Sequence, residues 1–260
     1  MNNIHPTAIV SANSQIDHSV TIGPYSIIDD EVMIGAGTEI SSHVRIDKFT
    51  RIGRECRIFQ GAVIGAIPQD LKFKGEQTAL EIGDRTVIRE FVTVNRGTSE
   101  SGKTVVGSDC LLMNYVHVAH DCRIGDHVIL SNAVNMAGHV EIADHAIIGG
   151  LVPVHQFVRI GKHAFIGGGY RVAQDIPPYI LAAGEPLKFS GLNYVGLKRN
   201  NFSEQRIKII EKIYFIIYRS HLNRTDALTK IKNEIAMCEE TKYIIEFFES
   251  SERGIIKGSQ

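Results

Sequence analysis

Aliphatic residues recur at every sixth position of this chain from residue 4 to residue 172. In this frame only Asp70, Glu76 and Glu100 are not Ile, Val, Leu or Met. The second position of each hexad is often glycine, which suits a tight turn, and the fifth is usually small or β-branched. Such a period is typical of short strands that are joined at sharp corners and stack into a parallel β-helix. The pattern therefore predicts a β-helix over residues 1–178.

Two polar insertions that contain glycine interrupt this frame, at about residues 66–81 and 99–105. A solenoid carries such insertions as loops on one edge, and loops of this kind commonly build ligand sites. The first insertion, AIPQDLKFKGEQTALE, is long enough to reach a neighbouring subunit.

Helical periodicity replaces the hexads after Pro177 and Pro178, which predicts a linker and a small α-helical domain over residues 179–260. The expected helices span about 204–220 with Ser203 as N-cap, 225–238 with Thr225 as N-cap, and 241–250. The expected fold class is therefore mainly β, a parallel β-helix of hexapeptide repeats followed by a small α-helical C-terminal domain.

Charge adds one feature to this picture. The formal net charge is only −1, but residues 198–219 carry six basic and two acidic side chains. This local excess would favour an acidic partner, and a solvated helix face is the alternative.

The N-terminal sequence MNNIHPTAIV lacks the basic start and apolar core of a signal peptide, and no stretch approaches the ~18 apolar residues of a membrane span. We expect a cytoplasmic protein with no membrane span and no nucleic-acid partner. Cys56, Cys110 and Cys122 fall on the fifth hexad position, which predicts small core filler. The cysteine spacing indicates neither a disulfide scaffold nor a thiolate zinc site.

One ridge of the predicted β-helix collects polar residues. If three hexads make one coil, residues 18 apart stack at the inter-strand spacing of about 4.8 Å. His120, Gly138 and Gln156 would then share one column, and Asp121, His139 and Phe157 the next. His117 and His155 lie close to the same ridge.

This ridge suits acyl transfer to a hydroxyl. A histidine can remove the hydroxyl proton near neutrality, because its reference pKa is about 6.5. A glycine N–H can donate to the oxyanion of the tetrahedral intermediate without steric obstruction. His120 and Gly138 could supply these two groups. Any one of the histidines could instead be a hydrogen-bonded corner residue, but their clustering favours a functional site.

A second histidine column is predicted on a different corner. His127, His145 and His163 are 18 apart and occupy the fourth hexad position. We expect an exposed stack without a carboxylate in its column, with adventitious metal binding or a trimer contact as the alternatives.

Several spaced motifs add a specific resemblance: MNYVHVAHDCRIGDHVILSN, AGHV, VHQF, VAQDIPPY and GLKR. With them the chain resembles, over nearly its whole length, the acyl carrier protein–UDP-N-acetylglucosamine O-acyltransferases of lipid A synthesis, which are hexapeptide-repeat enzymes. The resemblance implies a left-handed β-helix and a homotrimer with sites between subunits. It also implies that a (R)-3-hydroxyacyl group passes from the phosphopantetheine thioester of acyl carrier protein to the 3-hydroxyl of the UDP-sugar, with no metal and no cofactor.

The resemblance also assigns roles to residues. It implies that His120 is the general base, that Asp121 supports it and that Gly138 supplies the oxyanion N–H. The implied substrate-binding residues are Asp70, Lys72, His117, His139, His155, Gln156, Asn193 and Arg199. Gly168 lies where the family sets acyl-chain length. Val195 and Asn200 depart from the family's pattern, near the expected nucleotide contacts.

Other functions stay open at this point. Some relatives acylate a sugar with a 3-amino group, and a sister enzyme N-acylates a later lipid A intermediate. A sugar acetyltransferase using acetyl-CoA and a non-enzymatic β-helix are further alternatives. A γ-type carbonic anhydrase would use His117, His120 and His139 to hold zinc.

Overall fold

The computed structural model describes residues 3–258, so the first two and last two residues of the predicted domains lie outside the described part. Up to residue 172 the chain forms a left-handed parallel β-helix, as the hexads and the resemblance predict. Its strands are β1 Asn3–Ile4, β2 Ile9–Val10, β3 Gln15–Ile16, β4 Thr21–Ile22, β5 Ile27–Ile28, β6 Met33–Ile34, β7 Glu39–Ile40, β8 Arg45–Ile46, β9 Thr50–Ile52, β10 Arg57–Ile58, β11 Val63–Ala66, β12 Ala79–Ile82, β13 Val87–Ile88, β14 Thr93–Asn95, β15 Lys103–Val106, β16 Leu111–Leu112, β17 His117–Val118, β18 Arg123–Ile124, β19 Ile129–Leu130, β20 Asn135–Met136, β21 Glu141–Ile142, β22 Ile147–Ile148, β23 Pro153–Val154, β24 Arg159–Ile160 and β25 Phe165–Ile166.

Each coil places one strand in each of three sheets. Sheet 1 begins β1-β4-β7, sheet 2 begins β2-β5-β8, and sheet 3 contains β3-β6-β9, each continuing with every third strand. In every two-residue strand the first side chain faces outward and the second, aliphatic one faces the core. Glu39 pairs with Thr21, 18 positions before it, so an uninterrupted coil contains 18 residues.

The two insertions lengthen their coils by whole hexads. Val87 pairs with Arg57, 30 positions earlier, and Leu111 pairs with Val87, 24 positions earlier. The added segments form loop 1, residues 67–78 between β11 and β12, and loop 2, residues 96–102 between β14 and β15. Loop 1 ends earlier than the sequence indicates, because Ala79–Ile82 pairs with β9 and β15.

The glycines at the second hexad position let neighbouring coils approach one another. A Cβ on Gly23 would lie 2.7 Å from the carbonyl carbon of Ser41, which is too close for any side chain. The left-handed corner residue is instead at the fourth hexad position, as at Tyr25 (φ 59°) and Asp121 (φ 61°). Glycines such as Gly23 therefore serve the stacking of coils, whereas Gly65, also at the second position, has the left-handed backbone of a turn glycine (φ 83°).

The fifth-position cysteines are core filler, as predicted. Cys56, Cys110 and Cys122 are buried among the aliphatic residues of the coils. Burial raises the pKa of Cys110 to about 11 and that of Cys122 to about 12. All three are therefore protonated, packed thiols near neutral pH.

The segment expected to be a linker extends sheet 1. Strand β26 (Ile180–Ala183) pairs parallel with β25, and β27 (Lys188–Leu192) pairs antiparallel with β26. Four helices follow in the described chain: α1 Tyr194–Arg199, α2 Glu204–Arg219, α3 Arg224–Glu234 and α4 Glu239–Glu249. The domain boundary at residue 178 remains a prediction.

The helical segment confirms some of the expected caps. Ser203 caps α2, as predicted. Asn223, not Thr225, caps α3, because its side chain accepts from the backbone N–H of Asp226 at 2.9 Å. Tyr214 on α2 is almost fully buried and donates to the carbonyl of Pro178 at 2.7 Å, which ties the helices to the last coil.

Candidate functional site

A cleft of about 970 Å³ lies beside the corner that follows sheet 2. Loop 1 forms one wall, and the coils that contain β14, β17, β20 and β23 form the other. Seven of the residues that the sequence marks as site residues line it: Asp70, Lys72, His117, His120, Gly138, His139 and Gln156. The chain therefore brings the two columns of the ridge and the first insertion together.

His120 and Asp121 form a hydrogen-bonded pair at this corner. Nδ1 of His120 lies 2.8 Å from Oδ2 of Asp121, and the two side chains are 15% and 0% exposed. The carboxylate therefore sits behind the imidazole, out of reach of a ligand. Because a carboxylate is an acceptor, it favours the ring form that has its proton on Nδ1 and a free lone pair on Nε2.

Asp121 is ionised by its surroundings. Burial alone would raise its pKa, but hydrogen bonds from Ser101, His120 and Thr98 lower the pKa to about 2. The backbone N–H of Asp121 also donates to the hydroxyl of Thr104 at 2.8 Å. A negative charge is thus fixed next to His120 at all pH values near neutrality.

His139 is the second histidine of the corner. Its Nε2 lies 3.6 Å from Oδ2 of Asp121 and 3.5 Å from Oε2 of Glu100. Its ring meets the His120 ring edge-on, with centroids 5.1 Å apart and an interplanar angle of 87°. On the other side it stacks on Phe157 at 4.6 Å. This packing holds His139 beside His120 and leaves Nε2 facing polar groups.

Gly138 lies directly against the His120 ring. A Cβ at this position would fall 2.6 Å from Cε1 and 2.8 Å from Nε2 of His120. Among residues 3–258, no acceptor pairs with the backbone N–H of Gly138. An unpaired backbone donor is therefore present next to His120, at a residue that lines the cleft.

His117 projects from the outer face of sheet 2, one coil from Asn135. Its Nδ1 lies 2.7 Å from the hydroxyl of Thr93. Burial, and next the positive charge that His120 can acquire, lower the pKa of His117. His117 is therefore suited to contact a substrate as a neutral ring.

Four residues that the resemblance assigns to substrate do not line this cleft within one chain. Nδ1 of His155 is 2.9 Å from Nη2 of Arg253. Asn193 caps α1 and donates to the carbonyl of His163 at 2.9 Å. Arg199 is exposed at the end of α1, and Gly168 stacks on Gly150 at the corner that follows sheet 1.

Several cleft residues were not predicted as site residues. Thr93 and Asn135 project from sheet 2 at the outward strand positions, where the hexad pattern carries no signal. Glu100 also lines the cleft, and here a signal existed. Asp70 and Glu100 are two of the three polar breaks in the aliphatic frame, and both line the cleft, whereas the third break, Glu76, does not.

The donors at this corner also bear on the zinc alternative. Among the described residues, one group of His, Cys, Asp and Glu side chains has the mutual spacing of a metal site: His120, Asp121 and His139. His117, which the carbonic anhydrase alternative requires, is outside this group.

The second histidine column is a stack, as predicted, but it is not exposed throughout. His127 and His145 stack at 4.6 Å, and His145 and His163 stack at 4.6 Å. His163 is only 8% exposed, and burial, then the neighbouring His145, lower its pKa to about 4. The column also contains a carboxylate, since Asp109 lies 4.0 Å from Nε2 of His127 and pairs with Arg85. Our expectation of no carboxylate was therefore wrong.

Within residues 3–258, none of the helices combines the length and apolar character that a membrane crossing requires.

Comparison with known proteins gives consistent matches. Residues 175–256 match the family described as Udp N-acetylglucosamine O-acyltransferase, Domain 2, and residues 103–138 match Bacterial transferase hexapeptide (six repeats). An acyl-[acyl-carrier-protein]–UDP-N-acetylglucosamine O-acyltransferase of Chlorobaculum parvum is 60% identical over 98% of this chain and 97% of its own length. The enzyme of the same name from Aquifex aeolicus is 59% identical over 98% of both chains.

A solved structure has the same fold over its whole length. The UDP-N-acetylglucosamine acyltransferase from Bacteroides fragilis superimposes with a TM-score of 0.96 at 49% sequence identity, and the match covers 97% of this chain and 99% of that one.

Proposed function

This chain belongs to the family of acyl-[acyl-carrier-protein]–UDP-N-acetylglucosamine O-acyltransferases, and from that premise we propose a reaction mechanism for its cleft. The enzyme transfers an acyl group from acyl carrier protein to UDP-N-acetylglucosamine, in lipid A synthesis. In our proposal the acyl group is (R)-3-hydroxyacyl and the acceptor is the 3-hydroxyl of the sugar. The observation that carries the mechanism is the His120–Asp121 pair beside the unpaired N–H of Gly138.

His120 is the general base. With the Nδ1 proton held by the Asp121 carboxylate, Nε2 accepts the proton of the sugar 3-hydroxyl. The hydroxyl oxygen then attacks the thioester carbonyl carbon of the acyl donor. The ionised Asp121 favours the imidazolium that forms, and it stays ionised because its pKa is about 2.

Gly138 completes the step. The carbonyl oxygen becomes an oxyanion in the tetrahedral intermediate, and the Gly138 N–H donates to it. When the intermediate collapses, the C–S bond breaks and the thiolate of the phosphopantetheine arm takes the proton from His120. The products are the O-acylated sugar nucleotide and the free thiol of the carrier protein.

Loop 1 and the sheet 2 face bind the sugar nucleotide. Lys72 at the cleft supplies a cation for the diphosphate. Asp70 accepts hydrogen bonds from the sugar hydroxyls or from the uracil of the nucleotide. His117, His139 and Gln156 line the same cleft and face the acceptor sugar. No further cofactor is needed in this scheme, because the carrier protein supplies the activated acyl group.

A homotrimer would complete the site. The outer face of sheet 1 presents a row of half-buried apolar side chains: Val87, Leu111, Ile129, Ile147, Phe165 and Leu181. Such a face is suited to pack against another subunit. Packing there would let Asn193, Arg199 and Gly168 of one subunit serve the cleft of the next. Changing Ile129→Glu should give monomers by light scattering and abolish turnover, and an active monomer would exclude shared sites.

The basic residues after sheet 1 are suited to hold the acidic carrier protein. Lys198, Arg199, Lys208 and Lys212 are exposed on α1 and α2. Their attraction for the carrier would weaken with added salt, so KM for the acyl carrier protein should rise with ionic strength more than KM for the sugar nucleotide.

A cytoplasmic location, where both substrates meet the enzyme, is part of this proposal.

The deciding experiment combines purified protein with a panel of 3-hydroxyacyl carrier proteins and either UDP-N-acetylglucosamine or its 3-amino analogue. Mass spectrometry of the product should show an ester on the first sugar. If product forms only with the analogue, as an amide, the acceptor is the 3-amino sugar and not the 3-hydroxyl of UDP-N-acetylglucosamine. Loss of turnover after stoichiometric zinc is removed would contradict the metal-free mechanism.

A further inference from the structure

Loop 2, residues 96–102, closes over the carboxylate of Asp121. Thr98 and Ser101 both point inward from this loop, and Thr98 is only 7% exposed. Neither residue lines the cleft in which the substrates are expected to bind. Thr98 and Ser101 therefore contact the back of the His120–Asp121 pair, whereas Glu100 of the same loop lines the cleft.

The two oxygens of Asp121 have matched sets of donors. Oδ1 accepts from the backbone N–H of Thr98 at 2.9 Å and lies within hydrogen-bond distance of the Ser101 hydroxyl. Oδ2 accepts from the Thr98 hydroxyl at 2.7 Å and pairs with Nδ1 of His120 at 2.8 Å. The plane of the carboxylate, and with it the position of the His120 ring, is thus fixed by groups of an inserted loop.

We propose that Thr98 and Ser101 are positioning residues for the reaction, which hold Asp121 so that His120 presents Nε2 to the acceptor hydroxyl. This inference rests on the proposed role of His120 as the general base. Without the Thr98 hydroxyl, Asp121 can rotate within its pocket, and His120 loses the fixed acceptor that sets its ring form and direction.

Thr98 is the sharper of the two to test. The Ser101 hydroxyl has one proton and two acceptors within reach, the carbonyl of Lys103 at 2.9 Å and the carboxylate of Asp121. It can therefore donate to either one, and its loss need not remove a hydrogen bond to Asp121. The Thr98 hydroxyl instead donates to Asp121 and accepts from the N–H of Glu100 at 3.2 Å. Thr98→Val keeps the shape of the side chain and the backbone donor, and it removes only the hydroxyl.

The first experiment measures steady-state kinetics of the full-length protein. Thr98→Val should lower kcat roughly 10–100-fold, which is less than the loss expected when the general base itself is removed. KM for UDP-N-acetylglucosamine should stay within about twofold of the wild-type value. Thr98→Ser, which restores the hydroxyl, should recover most of kcat. Ser99→Ala is the matched control, because Ser99 is an exposed hydroxyl residue of the same loop whose backbone N–H contacts Glu76.

A double-mutant cycle with Asp121→Asn then separates positioning from general damage. If Thr98 acts through the carboxylate, Thr98→Val should cost no more than about twofold in the Asp121→Asn background. Equal losses in both backgrounds would overturn the proposal, as would unchanged kcat in Thr98→Val itself. If Thr98→Val does not fold, Ser101→Ala is placed in the same cycle and judged by the same two outcomes.

His120→Ala and Thr98→Val distinguish the base from the residues that position it. Full activity of His120→Ala would remove the proposed base, and the role of loop 2 would go with it. An inactive His120→Ala with a fully active Thr98→Val would leave the base in place and contradict only the positioning role.

Discussion

Two corners of the same β-helix contain stacked histidines, yet only one of them has the geometry of an active site. Both use the fourth hexad position, where His139, His127, His145 and His163 have φ between 55° and 61°. In the column of His127, His145 and His163 the rings lie parallel, with interplanar angles of 8° and 4°. At the other corner His139 meets His120 edge-on at 87°, and both rings contact Asp121.

The surroundings of the two corners explain this contrast. The parallel column has its carboxylate, Asp109, at one end, where Arg85 occupies it with two hydrogen bonds. At the other end His163 is buried between Tyr179 and Phe202. Asp121 instead lies under loop 2, with its charge maintained by uncharged donors and one oxygen directed at His120. The repeat therefore places histidines at both corners, and in the mechanism we propose the insertion lets one of them act as a base.

Removing the base should have the largest effect. His120→Ala should fold and assemble normally and lose roughly 10²–10⁴ in turnover, the range for a missing general base. Turnover is measured as acylated sugar nucleotide per enzyme by mass spectrometry. Near-normal turnover would refute the role of His120.

The substitution Gly138→Ala should have the next largest effect on turnover. A methyl group at Gly138 would fall 2.6 Å from the His120 ring, so Gly138→Ala must displace the ring. A displacement of about 1 Å at a reacting group can cost roughly 10²-fold in kcat. Steady-state kinetics and thermal melting test this together: lost kcat with an unchanged melting temperature fits the account, whereas normal kcat would show that the contact is not needed.

The buried end of the parallel column should affect stability, not turnover. The pKa of His163 is lowered to about 4 in the folded protein, against about 6.5 unfolded. The unfolded chain thus binds more protons between these values, so this contribution to stability is lost as pH falls from about 6.5 to about 4.

His163→Phe should remove that acid sensitivity while it keeps the aromatic stack. At pH 7 the free energy of unfolding of the variant should lie within about 1 kcal/mol of the wild type or above it, since Nδ1 of His163 is buried and has no hydrogen-bond partner within residues 3–258. Urea midpoints at pH 7 and pH 5, at one fixed protein concentration, measure the difference. An identical pH response of both proteins would mean that His163 does not titrate as inferred.

The smallest effect is expected at the open end of the same column. The side chain of His127 is 49% exposed and lies 4.0 Å from Asp109. His127→Ala should change turnover by less than about twofold and stability by no more than about 0.5 kcal/mol. A large loss of turnover would erase the distinction between the two corners.

The coils could be predicted from sequence because each hexad repeats the same packing. One aliphatic residue per strand faces the core, so a frame of six suffices to find the strands and to place His120 beside Gly138. The hairpin of β26 and β27 and the short α1 have no such repetition. The hairpin forms because β26 pairs with β25 at the end of sheet 1, and α1 is anchored by its cap Asn193, which donates to the carbonyl of His163. Neither contact is visible in a local pattern.

The candidate site could be predicted only in part for the same reason. The columns predicted His120, Gly138 and His139, because coil geometry fixes their neighbours. Thr98 and Ser101 were missed, since an inserted loop has no register from which its inward side chains could be read. Asn193, Arg199, His155 and Gly168 lie off the cleft of their own chain, and their assignment to substrate depends on the proposed trimer.

In the proposed mechanism the buried Asp121 carboxylate fixes the ring form of His120 that leaves Nε2 free to act as a base. Nitrogen-15 NMR of histidine-labelled protein, with His120→Ala to assign the signals, tests this directly at a pH where the ring is neutral. We predict that the proton resides on Nδ1 in the wild type and that Asp121→Asn disturbs this preference. A proton on Nε2 of His120 in the wild type would contradict the account.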